Sequence, residues 1–278
     1  MLWRPSDVPY PGSIEPRGDL HVSIWGDGPR VLLVHGSMSF GDLAFSEQRP
    51  LAGRWRLDVL DRRGFGGSLD PPGRVDFDVD ARDVAGLLDE PAHLLGASYG
   101  GVACLLAAAL RPEGVRSLTV IEPPAFGLAR GHPAVEDIIA RISGHLETAG
   151  ALTEEEFLHG FLCAWGLDLS PPQTLTARAR RAVRSSMAER PPWEAEVPLD
   201  RLATAAIPVL AVRGAWDAQA PEARDLAGAA FAAVCTVLVD RLGAEEAVFP
   251  GAAHQPQLLG GPFNDRLEAF WRSASEPA

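Results

Sequence analysis

The sequence predicts an α/β domain organised around a mostly parallel sheet flanked by helices, with one helical insertion. Three observations point there: short apolar runs without polar alternation, helical stretches between those runs, and glycine-rich breaks where a run meets the next helix. Leu20–Trp25 alternates like a half-covered strand and turns at Gly26-Asp-Gly28. Val31–Val34 is continuously apolar, as in a strand covered on both faces, and ends in His35-Gly36. Leu57–Leu60 is a further strand that runs into the glycine-rich stretch Asp61–Ser68. Asp80–Leu88 reads as a helix, and His93–Leu95 as a strand breaking at Gly96. Leu105–Leu110 continues the helix that follows, and Arg116–Ile121 is a strand stopped by Pro123-Pro124.

Beyond Pro123 the strand signal disappears until Ile207–Val212. In between, Val135, Ile138, Ile139, Ile142 and Leu146 keep helical spacing over His132–Thr148. Thr153 with Glu156 forms a capping box at the head of a second helix carrying Phe157, Phe161, Leu162 and Trp165. Ser170-Pro171 opens a third, with arginines at 178, 180, 181 and 184. The chain is therefore divided into a core of residues 1–122 and 199–278 and a helical lid of residues 123–198. The core closes with a long helix over Pro221–Leu242, an apolar stretch Ala247–Pro250, a loop Gly251–His254 and an amphipathic helix Pro262–Trp271.

Of the 278 residues 46% are hydrophobic and 22% charged, enough for a sizeable core, which excludes disorder as the main state. The formal charge of −12 repels polyphosphate and anionic lipid, so neither nucleic acid nor a membrane surface is expected as a partner. All 25 basic residues are arginine, which removes lysine Schiff-base chemistry and P-loop phosphate binding together. Cys104, Cys163 and Cys235 lie far apart in apolar helical stretches and are expected as buried free thiols in a reducing compartment. Met1–Pro5 lacks the layout of a signal peptide, and the longest apolar run, Val102–Leu110, is about half a membrane span. A cytoplasmic location is expected.

Gly96-Ala97-Ser98-Tyr99-Gly100 fits G-x-S-x-G between a strand and a helix. A sharp turn there pushes the serine hydroxyl out above the sheet, and small neighbours permit the strained backbone it needs. A serine hydroxyl needs a base, and the base needs a third group to orient it. His254, on a glycine-containing loop after the last strand, is placed to reach back over the sheet edge, whereas His132, His145 and His159 read as surface or structural residues of the lid. Two carboxylates sit at strand ends. Asp217, in Gly214-Ala-Trp-Asp217, is preferred, and Glu122, at the end of the strand before the lid, competes with it. Backbone N–H groups of Tyr99 and Ser37 are expected to receive a developing oxyanion, with Met38 as the alternative to Ser37.

Val31–Ser37, Asp61–Ser68, Gly96–Gly101, Gly214–Asp217 and Gly251–His254 together resemble the α/β-hydrolase family in its own order, over almost the whole chain. The resemblance is to lid-bearing members: esterases, lactonases, haloperoxidases and carbon–carbon bond hydrolases. It implies catalytic roles for Ser98, Asp217 and His254, a mostly structural role for Asp61–Ser68, and neither metal nor organic cofactor. Relatives that use an aspartate nucleophile, the haloalkane dehalogenases and epoxide hydrolases, are set aside by Ser98.

The lid is expected to supply the pocket wall. Met38, Phe157, Phe161, Trp165 and Trp193 are the candidates for contact with substrate, each equally able to serve only as packing. The lid arginines are read as a solvated face pairing with Glu154, Glu155 and Glu156 rather than as a carboxylate site. The expected activity is hydrolysis of a small ester, lactone, thioester or related acyl bond through an acyl-enzyme on Ser98. Two rivals use the same scaffold: a lyase, carbon–carbon hydrolase or cofactor-free oxygenase, and a ligand receptor. Because an imidazolium cannot accept a proton, turnover is expected to fall as pH drops through the histidine range near about 6.5. A rate that stays flat from about pH 8 to about pH 4 in a steady-state profile contradicts a histidine base.

Overall fold

The computed structural model describes residues 13–167 and 174–275; Met1–Pro5 and the expected helix start at Ser170-Pro171 lie outside them. Among the described residues eight strands form one sheet: β1 (Ser13–Arg17), β2 (Leu20–Trp25), β3 (Arg30–Val34), β4 (Arg56–Asp61), β5 (Ala92–Ala97), β6 (Val115–Ile121), β7 (Val209–Gly214) and β8 (Glu245–Phe249). Their order is β1-β2-β4-β3-β5-β6-β7-β8, with β1 and β2 antiparallel at one edge and β3 to β8 parallel. This is the mostly parallel, helix-flanked sheet that the continuous apolar runs predict.

Both faces are covered, which is why those runs do not alternate. Within β3, Leu32 and Val34 join one core while Val31 and Leu33 join the other, and Leu94 and Leu95 of β5 divide the same way. The first face carries α1 (Phe77–Gly86) and α2 (Tyr99–Leu110). The helical insertion between β6 and β7 supplies α3 (Pro133–Thr148), α4 (Glu154–Ala164) and α5 (Ala177–Met187), of which α3 packs on that face. They are followed by α6 (Leu199–Ala205) and α7 (Ala229–Leu242), also on the first face. The opposite face is closed by α8 (Gly261–Ser273), whose Trp271 is fully buried. Among the described residues no helix is long and apolar enough to cross a membrane.

One expectation is met with a local variation and one is corrected. The long helix expected over Pro221–Leu242 is present as a single run, within which a π-helical turn at Arg224–Gly228 precedes α7 and Gly228 lies against Trp216. A Cβ at Gly228 would meet the Trp216 ring at 2.9 Å. Cys104 and Cys235 are buried, but Cys163 is exposed, since it falls on the outer side of α4 beside His159.

Parallel register brings the strand ends to one edge. Val34 pairs with Gly96, Ala97 with Ile121, and Ile121 with Val212, so the loops after β3, β5, β6 and β7 emerge together. Ligands of open parallel sheets bind outside such an edge. The turn after β5 is packed so closely that only glycine fits at two places: a Cβ on Gly96 would lie 2.5 Å from Gly100 O, and one on Gly100 2.4 Å from both His35 O and Val34 O. The obstructing atoms are backbone and cannot yield. Gly100→Ala is therefore expected to lose about 3 kcal/mol or more in urea unfolding. Gly73→Ala, in an exposed loop with nothing near its Cβ position, is expected to stay within about 0.5 kcal/mol of the parent.

Candidate active site

Ser98 occupies the turn between β5 and α2 at φ 51°, a left-handed conformation costly for any residue with a side chain. The loop after β8 brings in His254, whose Nε2 lies 2.9 Å from Ser98 Oγ. On the other side of the ring, Nδ1 is 2.8 Å from Glu122 Oε2. An ionised carboxylate only accepts, so Nδ1 carries the proton and Nε2 faces Ser98 with its lone pair. Phe231 of α7 and Trp165 stack on the imidazole with centroid separations of 4.7 and 5.4 Å, fixing its plane.

The preferred acid, Asp217, is not at this site. Its Oδ1 accepts a hydrogen bond from Gly251 N–H at 2.8 Å, and its side chain is exposed. The reason is local. Trp216 adopts φ 57° and turns its indole inward to 1% exposure, which swings the next residue outward. Glu122 takes the position beside His254, fully buried, with both carboxylate oxygens hydrogen-bonded. Its Oε1 accepts from Gly214 N–H at 2.9 Å and from Trp216 Nε1–H at 2.8 Å. The signal for Glu122 was in the sequence, a carboxylate ending an apolar strand before Pro123-Pro124. The conformation of the loop after β7 was not.

Of the expected oxyanion donors, Tyr99 N–H opens helix α2, where amides lack partners within the helix. Ser37 and Met38 follow Gly36 in the loop after β3. The Met38 amide donates to Ser186 Oγ at 2.7 Å, which leaves Ser37 as the free choice of the two. Ser37 Oγ donates to Glu189 Oε2.

A cavity of about 40 Å³ adjoins Ser98, Ser37 and Tyr99, room for about three waters. Met38, Phe161, Trp165 and Trp193 line it, joined by Ile142 and Leu146 of α3. Phe157 does not: it lies one helical turn deeper, stacked on His145 at 4.7 Å and fully buried. The arginines of α5 do not face this cavity, and their pairing is wider than expected. Arg180 and Arg184 bind Glu154, and Arg180 also Glu155, but Glu156 is used in the capping box with Thr153. Arg181 instead reaches Gly66 O, Ser68 O and Asp70, and Arg178 lies over the Phe40 ring near Asp42 and Asp61. Among the described residues no group of three or more His, Cys, Asp or Glu is arranged to hold a metal ion.

Behind the loop after β3, His35 is fully buried with both ring nitrogens engaged. Nδ1–H donates to Gly36 O at 2.7 Å and Nε2 accepts from Arg62 N–H at 3.0 Å. Burial, and then the charge of Arg62, hold its pKa down to about 3. His93, buried beside Ser117, is held down to about 4 by burial and then by Arg116.

The family model described as alpha/beta hydrolase family matches residues 31–270. The chain is 31% identical over 218 residues to the pimeloyl-[acyl-carrier protein] methyl ester esterase of Aeromonas hydrophila, spanning 73% of this chain and 82% of that one. To the protein of the same name from Aliivibrio fischeri it is 30% identical, spanning 48% and 52%. Among solved structures, NosK from Streptomyces actuosus superposes with a TM-score of 0.58 at 25% identity, covering 90% of this chain and all of that one. A thermophilic esterase from Thermogutta terrifontis superposes with a TM-score of 0.60 at 22% identity, over 92% and 94%.

The depressed pKa of His35 has a stability consequence. Below about pH 6.5 the unfolded chain takes up a proton that folded His35 refuses, so stability falls with pH until about 3. In urea unfolding His35→Gln is expected to remove about 1.4 kcal/mol per pH unit from that slope, leaving the part due to His93.

Proposed function

Because the chain belongs to the alpha/beta hydrolase family, we propose that it is a serine hydrolase acting on a small acyl compound, an ester above all, through Ser98, His254 and Glu122. The observation that carries this reading is the unbroken chain from Glu122 Oε2 through His254 to Ser98 Oγ, with contacts of 2.8 and 2.9 Å. The esterase names of the curated relatives support the reaction class.

In the acylation half, His254 Nε2 takes the Ser98 proton as Oγ bonds to the substrate carbonyl carbon. The carbonyl electrons move onto oxygen, which the Ser37 and Tyr99 amides receive without reorganising. Glu122 stabilises the imidazolium across the Nδ1 hydrogen bond, and the imidazolium returns its proton to the departing alcohol. Water then enters, His254 takes its proton, and hydroxide attacks the Ser98 ester. The tetrahedral intermediate collapses to the free acid, and Ser98 recovers its proton.

The helical insertion serves as the lid over this site, with Ile142, Leu146, Phe161 and Trp165 forming an apolar wall for the acyl part. The α5 arginines are engaged by carboxylates and backbone carbonyls, and Arg190, which lines the cavity, is held by Asp78 and Glu194, so recognition rests on apolar contact rather than on a substrate anion.

A fluorophosphonate is expected to modify Ser98, seen by peptide mass spectrometry, and to leave Ser98→Ala unlabelled. With p-nitrophenyl acetate and butyrate, Glu122→Gln is expected to lower kcat by about 10²–10⁴, since the amide no longer fixes the tautomer or the charge. Asp217→Asn is expected to stay within about threefold. A large loss in Asp217→Asn with little in Glu122→Gln overturns the assignment of the acid. Retained turnover of a true substrate by Ser98→Ala overturns the acyl-enzyme.

A further inference from the structure

Both arms of the oxyanion site are tied to one short stretch of the insertion, Ser186–Arg190. Ser37 Oγ donates to Glu189, and the next amide, Met38 N–H, donates to Ser186 Oγ at 2.7 Å. Met38 sits at φ 55°, so this turn is strained and needs external bonds to hold it. On the other arm, Tyr99 OH donates to Arg190 O at 3.1 Å.

Glu189 continues inward. Its second oxygen accepts from Arg62 Nη2 at 2.6 Å, and Arg62 also donates to Gly36 O at 3.2 Å and His35 O at 3.0 Å. Arg62 is completed by Asp80 at 2.7 Å and is wholly buried. A carboxylate buried only to pack the insertion would be outdone by an apolar side chain, because desolvating a charge is costly. Here each Glu189 oxygen is spent on a group that sets the position of Gly36 and Ser37.

Building on the hydrolase reading above, we infer that Glu189 is a positioning residue. It holds the Ser37 amide at the oxyanion site, so docking of the insertion completes the catalytic apparatus as well as covering it. Oxyanion donors act only when aimed at the charge as it develops, and a misplacement of about 1 Å costs on the order of 10² in rate. Glu189 borders the cavity on its polar side with Ser37, whereas the apolar wall of Ile142, Leu146, Phe161 and Trp165 is built on other elements, so its contacts act on the oxyanion arm more than on acyl binding.

The test compares the full chain with Glu189→Ala, Ser37→Ala and the double variant on p-nitrophenyl butyrate. Glu189→Ala leaves Arg62 paired one-to-one with Asp80, and Ser37→Ala keeps the backbone amide while removing the tether, which serves if Glu189→Ala fails to fold. The expected result is a fall in kcat of about 10- to 100-fold in each single variant with KM within about threefold. The double variant should be no worse than the poorer single one, because both substitutions cut the same link. Unchanged kcat in a variant of lowered Tm, or a raised KM at constant kcat, overturns the inference. Fluorophosphonate labelling separates it from the reading it rests on: no labelling of the parent overturns both, whereas equal labelling rates in parent and Glu189→Ala overturn the positioning role alone.

Discussion

The Glu122 carboxylate is the point at which three loops are brought to one place. It lies just past the end of β6, wholly buried, and it accepts from the Gly214 amide at the end of β7, from the Trp216 indole two residues on, and from His254 after β8. A buried anion deprived of its donors is strongly destabilising, so each bond is required by the others. The loop after β7 must place Gly214 and Trp216 inward, and the loop after β8 must present its histidine. Once these are satisfied, Ser98 meets His254 because parallel register already aligns the ends of β5 and β6.

Backbone strain concentrates in the same place. Of five described non-glycine residues at positive φ, four are Met38, Ser98, Glu122 and Trp216; the fifth, Ala206, ends helix α6. Each of the four lies at the C-terminal end of a different parallel strand or in the loop beyond it. Such conformations persist only where surrounding contacts over-determine them. Here those contacts are the packed Gly96–Gly100 turn, the Ser186 hydroxyl on Met38 N–H and the donors around Glu122.

The sheet was legible in the sequence because strands covered on both faces leave unbroken apolar runs such as Val31–Val34. The turn that carries Ser98 was legible because only glycine tolerates the approach of Gly100 to His35 O. His254 was legible as the one histidine on a loop after the last strand. The carboxylate that meets His254 was not. Glu122 and Asp217 both stand near strand ends, and what separates them is the direction Trp216 takes, a tertiary choice made by a ring packing beneath Gly228 and accepting a place beside Glu122. Glu189 was equally hidden, because its partners Ser37 and Arg62 are more than a hundred residues away in the chain. Phe157 and Phe161 share a helix face four residues apart, and only the depth of α4 against α3 decides that one reaches the cavity.

The π-helical turn at Arg224–Gly228 sets the rotational phase of everything on either side of it. N-terminal to it, Glu222 pairs with Arg141 of α3 at 3.0 Å and Ala223 lies under Gly166 beyond α4. C-terminal to it, Phe231 lies on the imidazole of His254. A π turn accommodates one residue more than an α turn, and one residue is about 100° of rotation about the axis. Straightened into a regular helix, this segment could keep the Glu222–Arg141 pair or the Phe231 ring on His254, but not both. The extra residue works as a phase shifter, allowing one continuous rod to address two partners that lie in different directions.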